Sequence, residues 1–548
     1  MAAGAPSRAA PQHGPATQVL IVGAGPVGLT LALDLGQRGV RCTLVERNPT
    51  SIQLPKMERC NGRTMEIYRR LGIAETVRAA GLPREAPMDV FLTTSLADPP
   101  LVHLPYPSVA DARADIAAHN DGTRLLEPYQ LISQYTLEPL LRSLVERLPS
   151  VDVRFGCELL AYTQNSDGVV ASIDSGKGPT TLQASYLVGC DGGSSTVRKQ
   201  AGIQLHGRGG IRTLRQALFY CPDLYERLPF GKGRHYHIAR PPLFPFIILQ
   251  DSTRHWTLHA AAASDAELAR IFAASLGMPL PFDVLSVNEW TQHLLCADRY
   301  RDGRAFIAGD AAHLVIPTGG LGMNTGVGDA VDLAWKLAGT LAGWGGPGLL
   351  ESYEPERRPI GLRNIKASGA AMAGRDSWRA ARGAEMARLF DAEQRKVTEI
   401  QGIEAGYQYV DSPIIWHEDG ERPDPDAARY TPTTWPGARL PHVWLEDGTA
   451  MHDRLGVGYT LLRLGGTSDT SGLENAVRQT GAPLDVLEIG DRAAREVYGC
   501  DLVLVRPDLH VAWRGNSAPA EAEAIARRVT GWEGASTTSP TRRGRSLI

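Results

Sequence analysis

The sequence has few cysteines and no close pair of them. Seven are scattered over 548 residues, and none stands in a Cys-x-x-Cys spacing. An odd, dispersed set is typical of reduced thiols in a cytoplasmic protein rather than of a disulfide framework. The chain also lacks a His-Glu-x-x-His motif or a comparable ligand cluster, so the sequence predicts no metal site.

Strong net charge and long hydrophobic runs are also missing. The formal net charge of −3 gives no electrostatic reason to bind nucleic acid or an anionic membrane. Residues 19–35 are apolar, but glycines and Asp34 interrupt them, and they are too short for a membrane span. Residues 1–16 are rich in Ala, Pro and Gly and are expected to be a disordered leader, and residues 534–548 a flexible tail.

What the chain does contain is a glycine motif between a predicted strand and a predicted helix. Residues 18–22 are a short apolar run typical of a buried parallel strand, and residues 29–38 are predicted to form a helix. Gly23 permits a tight turn, Gly25 lets the backbone approach a pyrophosphate, and Gly28 lets the helix pack closely on the strand. The amides that begin the helix would face the phosphates.

An acidic residue closes this motif. The next predicted strand, residues 41–45, ends at Glu46, where a carboxylate accepts hydrogen bonds from ribose hydroxyls. The acid favours a free 2′-hydroxyl, as in FAD or NAD, over a 2′-phosphate. We therefore assign Glu46 and the adjacent Arg47 to a nucleotide-binding site.

Two further predicted strands also end in an acid. Residues 186–190 lead into Asp191, and residues 305–309 lead into Asp310. Such positions point into the crevice where ligands bind in open α/β sheets. Asp310 is predicted to bind the ribityl chain that joins a flavin to its pyrophosphate.

A glycine-rich segment follows the third motif. Residues 317–324 precede a helix predicted over residues 327–341. Free backbone amides at a helix start can hold the electron-rich pyrimidine edge of a flavin. The amides assigned to this role are those of Gly322, Met323 and Asn324.

In order and spacing, these motifs resemble those of the flavoprotein monooxygenases related to para-hydroxybenzoate hydroxylase. Residues 63–72 are similar to that family's RTMExxRRLG helix, and residues 353–359 to its YExERRP segment. Gln134 matches a glutamine on the adenine side of the cofactor. The resemblance implies tightly bound FAD, reduced by NADPH or NADH in transient visits, and assigns Arg63, Gln134 and Asp191 to the cofactor site.

The chain departs from the family pattern at Lys56, where an arginine is usual. Lysine keeps the positive charge but loses the bidentate fork of a guanidinium. Lys56 is kept as a cofactor-binding candidate.

The resemblance also implies a reaction: reduced FAD and O2 form a C4a-hydroperoxide, whose distal oxygen passes to a phenol or catechol ring. Pro317 and His313 are expected beside the flavin. One residue of the predicted substrate sheet is expected to orient or deprotonate the phenol, and Tyr220 and His237 are the two assigned to this role; the candidates are Tyr220, His235, Tyr236, His237, Trp256 and His259. Arg59 is a candidate to bind an anionic or phenolate substrate.

The predicted fold class is α/β. It comprises a Rossmann-like FAD-binding domain, an inserted β-sheet substrate domain and a C-terminal thioredoxin-like domain. Without a Cys-x-x-Cys pair, the last domain is expected to serve structure or assembly, with a homodimer as one option. The expected bounds are 17–85, 125–205 and 296–375 for the FAD domain, 86–124 and 206–295 for the substrate domain, 376–434 for a helical segment and linker, and 435–533 for the thioredoxin-like domain.

Several functions remain open from the sequence. The leading hypothesis is a single-component hydroxylase of a phenol or catechol, which takes an aromatic small molecule and O2. A tailoring oxygenase for a polyketide or antibiotic would use the same chemistry on a larger ligand. A flavoprotein that binds an aromatic without turnover and an FAD-dependent reductase or desaturase are further alternatives.

Overall fold

The computed structural model describes residues 17–465 and 468–533. The predicted leader, residues 1–16, and the predicted tail, residues 534–548, lie outside the described residues. Within the described part of the chain, no helix is both long and apolar enough to cross a membrane.

The first sheet is parallel at its centre because its strands are short apolar runs that are buried on both faces. Thr17–Val22 pairs in parallel with a strand on each side, so the glycine motif that follows it lies in the middle of the sheet edge. The parallel strands are, in spatial order, Val151–Phe155, Cys42–Glu46, Thr17–Val22, Pro179–Gly189 and Ala305–Ile307. Antiparallel strands extend this sheet: Glu158–Gln164, Val169–Asp174 and Arg301–Asp302.

Helices cover this sheet, and two of them begin earlier than predicted. The first, Pro26–Gln37, begins directly after Gly25, because a proline is well suited to the first helical position. The long helix Leu321–Leu341 begins six residues before the predicted start. The remaining helices of this unit are Gly62–Arg70, Ala74–Ala80, Gln134–Val145, Thr196–Gln200, Pro347–Glu351 and Tyr353–Ala380, with a 3-10 turn at Gly309–Ala311.

The early start of Leu321–Leu341 has a local cause. Gly320 caps the helix in the left-handed region (φ 64°), which glycine adopts without a steric penalty. The Asn324 side chain then donates to the Gly320 carbonyl oxygen (2.6 Å) and closes the first turn. The glycine-rich run that reads as a loop therefore provides both the cap and the first turn.

A second, mostly antiparallel sheet lies opposite the carboxyl ends of the first. Its core side packs aromatic residues such as Phe219, Tyr236 and Trp256, which are fully buried. Its strands are, in spatial order, Asp283–Thr291, Thr213–Tyr220, His255–Ala260, Phe246–Leu249, His235–Ile238, Val90–Thr93 and Val102–Leu104. The helices of this region are Val109–Ala118, Leu224–Arg227 and Asp265–Leu276. Small sheets connect the two units: Leu205–Arg208 with Leu294–Ala297 and His313–Leu314, and Arg59–Cys60 with Gln130–Leu131.

The C-terminal sheet contains one parallel and two antiparallel strand pairs, with helices packed on it, as in thioredoxin-like domains. Its strands are, in spatial order, Leu484–Glu488, Tyr459–Arg463, Leu502–Val505 and Val511–Gly515. Its helices are Met451–Arg454, Ser471–Gln479, Arg492–Tyr498 and Ala522–Val529, and Gly383–Thr398 and Gln401–Ala405 precede it. The predicted fold class is confirmed.

Buried ion pairs attach this C-terminal domain to the first sheet's helices. Arg439 forms a two-bond pair with Glu66, and both side chains are almost fully buried. Burial alone would raise the pKa of Glu66, but Arg439, together with His452 and Arg63, holds it at about 2. The Glu66 carboxylate is therefore charged at neutral pH and joins the two domains.

Candidate functional site

The carboxyl ends of the parallel strands open onto one cavity of about 1490 Å³, which reaches across to the second sheet. One side of the cavity is lined by the glycine motif, by the acids that follow the strands and by the start of the helix Leu321–Leu341. The second sheet and the last turns of Tyr353–Ala380 line it on the other. The sequence-predicted residues that line it are Gly23, Gly25, Glu46, Arg47, Lys56, Gln134, Asp191, Asp310, Pro317, Gly322, Met323 and Asn324.

The three glycines of the first motif face different surroundings. A Cβ on Gly23 would lie 2.4 Å from the Cys190 carbonyl oxygen, and its φ of +102° is in the left-handed region. A Cβ on Gly28 would lie 2.0 Å from the Gly23 carbonyl oxygen, so this position requires close packing of helix on turn. A Cβ on Gly25 would meet only Glu138 Oε1, at 3.9 Å, and would project into the cavity. Gly25 is thus the glycine that leaves space for a ligand.

Two of the acids are tied to the backbone around them. Glu46 accepts from the amides of Ala24 and Asn48, both at 2.9 Å, which fixes its carboxylate beside the glycine turn. Asp191 Oδ2 accepts from the Thr196 amide (2.7 Å), while its buried Oδ1 has no hydrogen-bond partner within the described chain. Burial raises the pKa of Asp191.

Asp310 is the acid that faces the cavity most directly. Its side chain is exposed to the cavity, and no hydrogen bond to another described residue holds it. Enclosure raises the pKa of Asp310, although His313 and Lys56 act in the opposite direction. A carboxylate left in this state is suited to accept hydrogen bonds from ligand hydroxyls.

The part of the cavity assigned to the adenine end of the cofactor contains one residue that the sequence did not single out, Glu138. Gln134 Nε2 donates to Glu138 Oε1 (2.6 Å), and Glu138 Oε2 accepts from the Ile52 amide (3.0 Å). Burial raises the pKa of Glu138. The signal in the sequence is the i, i+4 spacing of Gln134 and Glu138, which places both on one face of helix Gln134–Val145.

The first turn of Leu321–Leu341 presents its amides to the cavity. The first three amides of a helix have no acceptor within it, so those of Gly322 and Met323 are suited to an electron-rich ligand edge, whereas the amide of Asn324, the fourth residue, donates to the cap carbonyl of Gly320. The Asn324 side chain has a different task. Its Oδ1 accepts from the Asn61 amide (2.9 Å) and from Thr64 Oγ1 (2.7 Å), and so fixes the start of helix Gly62–Arg70.

Arg63 does not reach this cavity, which corrects its assignment to the cofactor site. Its Nη2 donates to the Asp508 carbonyl oxygen (2.9 Å) in the C-terminal domain, and the side chain is buried there. The residue belongs to the contact between domains.

The assignment of His313 to the flavin is also corrected, because its side chain is fully buried and does not line the cavity. Its Nε2 lies 2.7 Å from Asp329 Oδ2, and Asp329 in turn pairs with Arg357 (2.8 Å). This chain of contacts fixes helix Leu321–Leu341 against Tyr353–Ala380. Of the two flavin-side candidates, Pro317 lines the cavity and is exposed to it.

Of the substrate-sheet candidates, His235 and His259 line the cavity, but Tyr220 and His237, the two assigned to the phenol, do not. Tyr220 lies on the same strand face as Gln216, which does line it, but four residues further on, about 13 Å away. His237 is stacked on Phe246 (4.3 Å between ring centroids) and covered by Phe390, and burial lowers its pKa well below the usual value.

The titratable pair that does line the cavity is Glu58 with His235. His235 Nε2 lies 2.9 and 2.8 Å from the two carboxylate oxygens of Glu58. Burial lowers the pKa of His235 to about 4, although Glu58 opposes this. Burial would raise the pKa of Glu58, but His235, Arg234 and Arg59 hold it at about 2. At neutral pH the pair is a carboxylate that accepts a hydrogen bond from a neutral histidine.

Comparison with known proteins agrees with this geometry. Residues 16–368 match the model of the FAD binding domain, and residues 433–536 match that of the aromatic-ring hydroxylase C-terminal domain. The chain belongs to the FAD-dependent aromatic-ring hydroxylases. It is 34% identical to the FAD-dependent monooxygenase apdD of Emericella nidulans over 92% of this chain and 88% of that protein.

Two solved structures match this chain over nearly its whole length. RebC with bound 7-carboxy-K252c, from a crystal soaked in chromopyrrolic acid, matches with a TM-score of 0.85 and 32% identity over 94% of this chain and 99% of that one. A ternary complex of aklavinone-11 hydroxylase with FAD and aklavinone matches with a TM-score of 0.83 and 29% identity over 95% and 100%. The protein is a flavin-dependent aromatic monooxygenase.

The residues present fit FAD. The fit rests on the open side of Gly25, the unpartnered Asp310 carboxylate and the free amides that start Leu321–Leu341. Glu46, Arg47, Lys56 and Gln134 would hold the nucleotide end of the cofactor, and Asp310 its ribityl chain.

Replacing Asp310 tests the ribityl contact. We expect Asp310→Ala to weaken FAD binding by about 10- to 150-fold, because a charge-assisted hydrogen bond contributes roughly 1.5–3 kcal/mol. The dissociation constant is measured by quenching of FAD fluorescence on titration with apoprotein. Asp302→Ala is the matched control, since Asp302 lies on the same sheet outside the cavity. An unchanged constant for Asp310→Ala would exclude the contact.

Proposed function

We propose that the protein is a single-component hydroxylase that uses NADPH or NADH and O2 to hydroxylate a phenolic ring of a polycyclic aromatic compound. The observation that carries the proposal is one continuous cavity of about 1490 Å³ that joins the cofactor cradle to the second sheet. Sites for a single drug-sized ligand measure roughly 300–1,000 Å³. The larger volume is consistent with a cofactor and a multi-ring substrate side by side.

The named ligands of related structures support a large substrate. RebC was solved with 7-carboxy-K252c and aklavinone-11 hydroxylase with aklavinone. On this proposal, tailoring of a polyketide-like aromatic is favoured over hydroxylation of a single-ring phenol or catechol.

Glu58 is the residue we assign to the substrate hydroxyl. Its carboxylate lines the cavity and is charged at neutral pH, so it can accept a hydrogen bond from a phenol. That bond increases electron density on the ring and makes it a better acceptor of oxygen. His235 acts through Glu58, because its Nε2–H fixes the carboxylate by two contacts.

When bound, the flavin supplies the redox chemistry, taking electrons from NAD(P)H and activating dioxygen. The chain's own residues position the cofactor and the substrate and enclose them. Pro317 shapes the wall beside the predicted flavin ring, and the amides of Gly322 and Met323 face its pyrimidine edge. On the substrate side, Phe244, Phe246 and Ile248 line the cavity with apolar surface that excludes water.

The domain bounds predicted from the sequence remain part of this proposal, as do a cytoplasmic location and a homodimer. The division places the substrate residues in 86–124 and 206–295 and the cofactor residues in 17–85, 125–205 and 296–375. Limited proteolysis would test the domain bounds, and sedimentation analysis would test the homodimer.

Oxygen-linked turnover tests the proposed function. NADPH and NADH oxidation, O2 uptake and peroxide release are measured with single-ring phenols and catechols, naphthols and hydroxyanthraquinones. We expect the multi-ring phenols to stimulate both NAD(P)H oxidation and O2 uptake, with little peroxide released. NAD(P)H oxidation without O2 uptake would favour a reductase. Ligand binding without turnover would favour an aromatic-binding flavoprotein.

A further inference from the structure

Arginines dominate the charges on the substrate side of the cavity, and several are already neutralised by the protein. Arg59 pairs with Glu404 (3.2 Å), and Arg212 with Asp376 (3.3 Å). Arg234 lies beside the Glu58 carboxylate, which is one of the charges acting on it. These three cations therefore have an acid nearby.

Two further arginines, Arg375 and Arg379, form no ion pair with a described residue, although Asp376 raises the pKa of both and Glu58 that of Arg375. Arg375 and Arg379 lie four residues apart on helix Tyr353–Ala380, so both project from the same face into the cavity. The Arg375 guanidinium lies over the Phe246 ring, 5.3 Å from its centroid, and forms no ion pair with a described residue. Arg379 Nη2 donates to the Phe244 carbonyl oxygen (3.3 Å), while its buried Nε has no hydrogen-bond partner in the described parts of the chain.

Burial of these two arginines destabilises the protein when no ligand is bound beside them. Burial lowers the pKa of Arg375 to about 10 and that of Arg379 to about 9. Arg375 lowers the pKa of Arg379 further, and Asp376 opposes the shift at both. Both side chains remain cations at neutral pH. Two enclosed guanidinium groups that form no ion pair are stabilised by an anion that reaches both, and a carboxylate matches their fork geometry.

The position of the pair sets a distance from the flavin side. On the same helix, Ser368 Oγ donates to the Ile316 carbonyl oxygen (2.9 Å), next to Pro317. Arg375 and Arg379 follow Ser368 by seven and eleven residues, which corresponds to about 10 and 16 Å along a helix. A ligand that reaches from Pro317 to the pair is longer than a single aromatic ring.

We propose that the substrate is an elongated aromatic carboxylic acid, whose carboxylate is bound by Arg375 and Arg379 while its phenolic end lies at the flavin. This inference rests on the proposed function and adds to it an anionic group remote from the reacting ring. Neither residue was singled out by the sequence motifs.

Ligand binding to the FAD-loaded protein tests the anion site independently of turnover. The probes are 6-hydroxy-2-naphthoic acid, whose hydroxyl and carboxylate lie at opposite ends, its neutral primary amide, and 4-hydroxybenzoic acid as the short acid. Dissociation constants are read from the change in the flavin absorbance spectrum. We expect the naphthoic acid to bind wild-type protein at least tenfold more tightly than its amide and more tightly than the short acid.

Substitutions then assign that preference to the two arginines. We expect the acid-to-amide ratio to fall close to one in R375Q/R379Q, while the affinity for the amide and the FAD content are unchanged. Arg388→Gln is the matched control, because Arg388 is an exposed arginine that pairs with Glu385 on the next helix. It should keep the wild-type ratio.

The outcomes separate this inference from the proposed function. Equal binding of acid and amide by wild-type protein, no binding of the acid, or an unchanged ratio in R375Q/R379Q would each overturn the anion site. A change in the KM for NADPH or NADH, with the acid preference intact, would assign the arginines to the nicotinamide nucleotide instead. Normal acid binding without O2 uptake would count against the proposed function alone.

Discussion

Gly25→Val yields a folded protein that is purified without its yellow cofactor; this is the result we expect from the shape of the glycine turn. The valine side chain would project into the cavity at the place assigned to the pyrophosphate. We expect FAD affinity to fall at least a hundredfold, about 2.7 kcal/mol. Flavin content is measured from the visible spectrum of the purified protein, and affinity by reconstitution of apoprotein with FAD.

The backbone at Gly25 makes this test specific. Its φ of −70° and ψ of 176° are extended values open to any residue, unlike the left-handed φ of Gly23. The variant should therefore match wild-type apoprotein in thermal unfolding. Gly25→Ala reports any effect of the helix cap, and Gly490→Val, at an exposed glycine with open space around it, is the control for the substitution itself. Wild-type flavin content in Gly25→Val would refute the cradle.

The parts of the site that the sequence predicted are those with local causes. Short apolar runs fix the strands that end before Gly23 and at Glu46, and parallel strands bring their carboxyl ends to one edge. Asp191 and Asp310 follow from the same rule, because they come two and three residues after the ends of such strands. The spacing of the glycines and acids along the chain was enough to predict that these groups meet at one cavity.

The parts that the sequence missed depend on contacts between distant segments. His235 and His237 share one face of a strand, and nothing local shows that helix Gly383–Thr398 covers His237 with Phe390 and leaves His235 at the cavity. Arg63 matches a family motif, yet its acceptor is the carbonyl of Asp508, 445 residues further along. Periodicity cannot report such partners.

A buried ionic cluster at the domain contact gives the second large effect. Arg506 of the C-terminal domain forms a forked pair with Glu356 (2.6 and 2.9 Å) and also contacts Asp508 (2.6 Å). Lys336 bridges Glu356 (2.5 Å) and Asp332 (2.8 Å) from the other side. Three buried acidic side chains, of which Asp332 has its pKa raised well above the usual value by burial, thus share two cations and lie close enough together to surround a metal ion. The two side-chain cations already occupy that role.

Arg506→Met should destabilise the protein by about 3–5 kcal/mol, because it leaves buried carboxylates without their main counter-charge. Thermal and urea unfolding, followed by circular dichroism, measure the change. Arg492→Ala is the control, since Arg492 forms an exposed pair with Glu496 and should show no measurable change. The double variant R506M/E356Q should recover part of the loss, because it removes one of the stranded charges.

The pH dependence distinguishes a charge effect from a packing effect. Burial would raise the pKa of Glu356, but Arg506 and Lys336 hold it below its usual value of 4.5. The stabilisation from this carboxylate is therefore fully present above pH 4.5 and is lost as the pH falls towards the lower folded-state value. Wild-type protein and Arg506→Met should differ most near neutral pH and converge in acid. A difference that stays constant down to the acid range would mean that Arg506 acts by packing on Trp335 and Tyr409 instead.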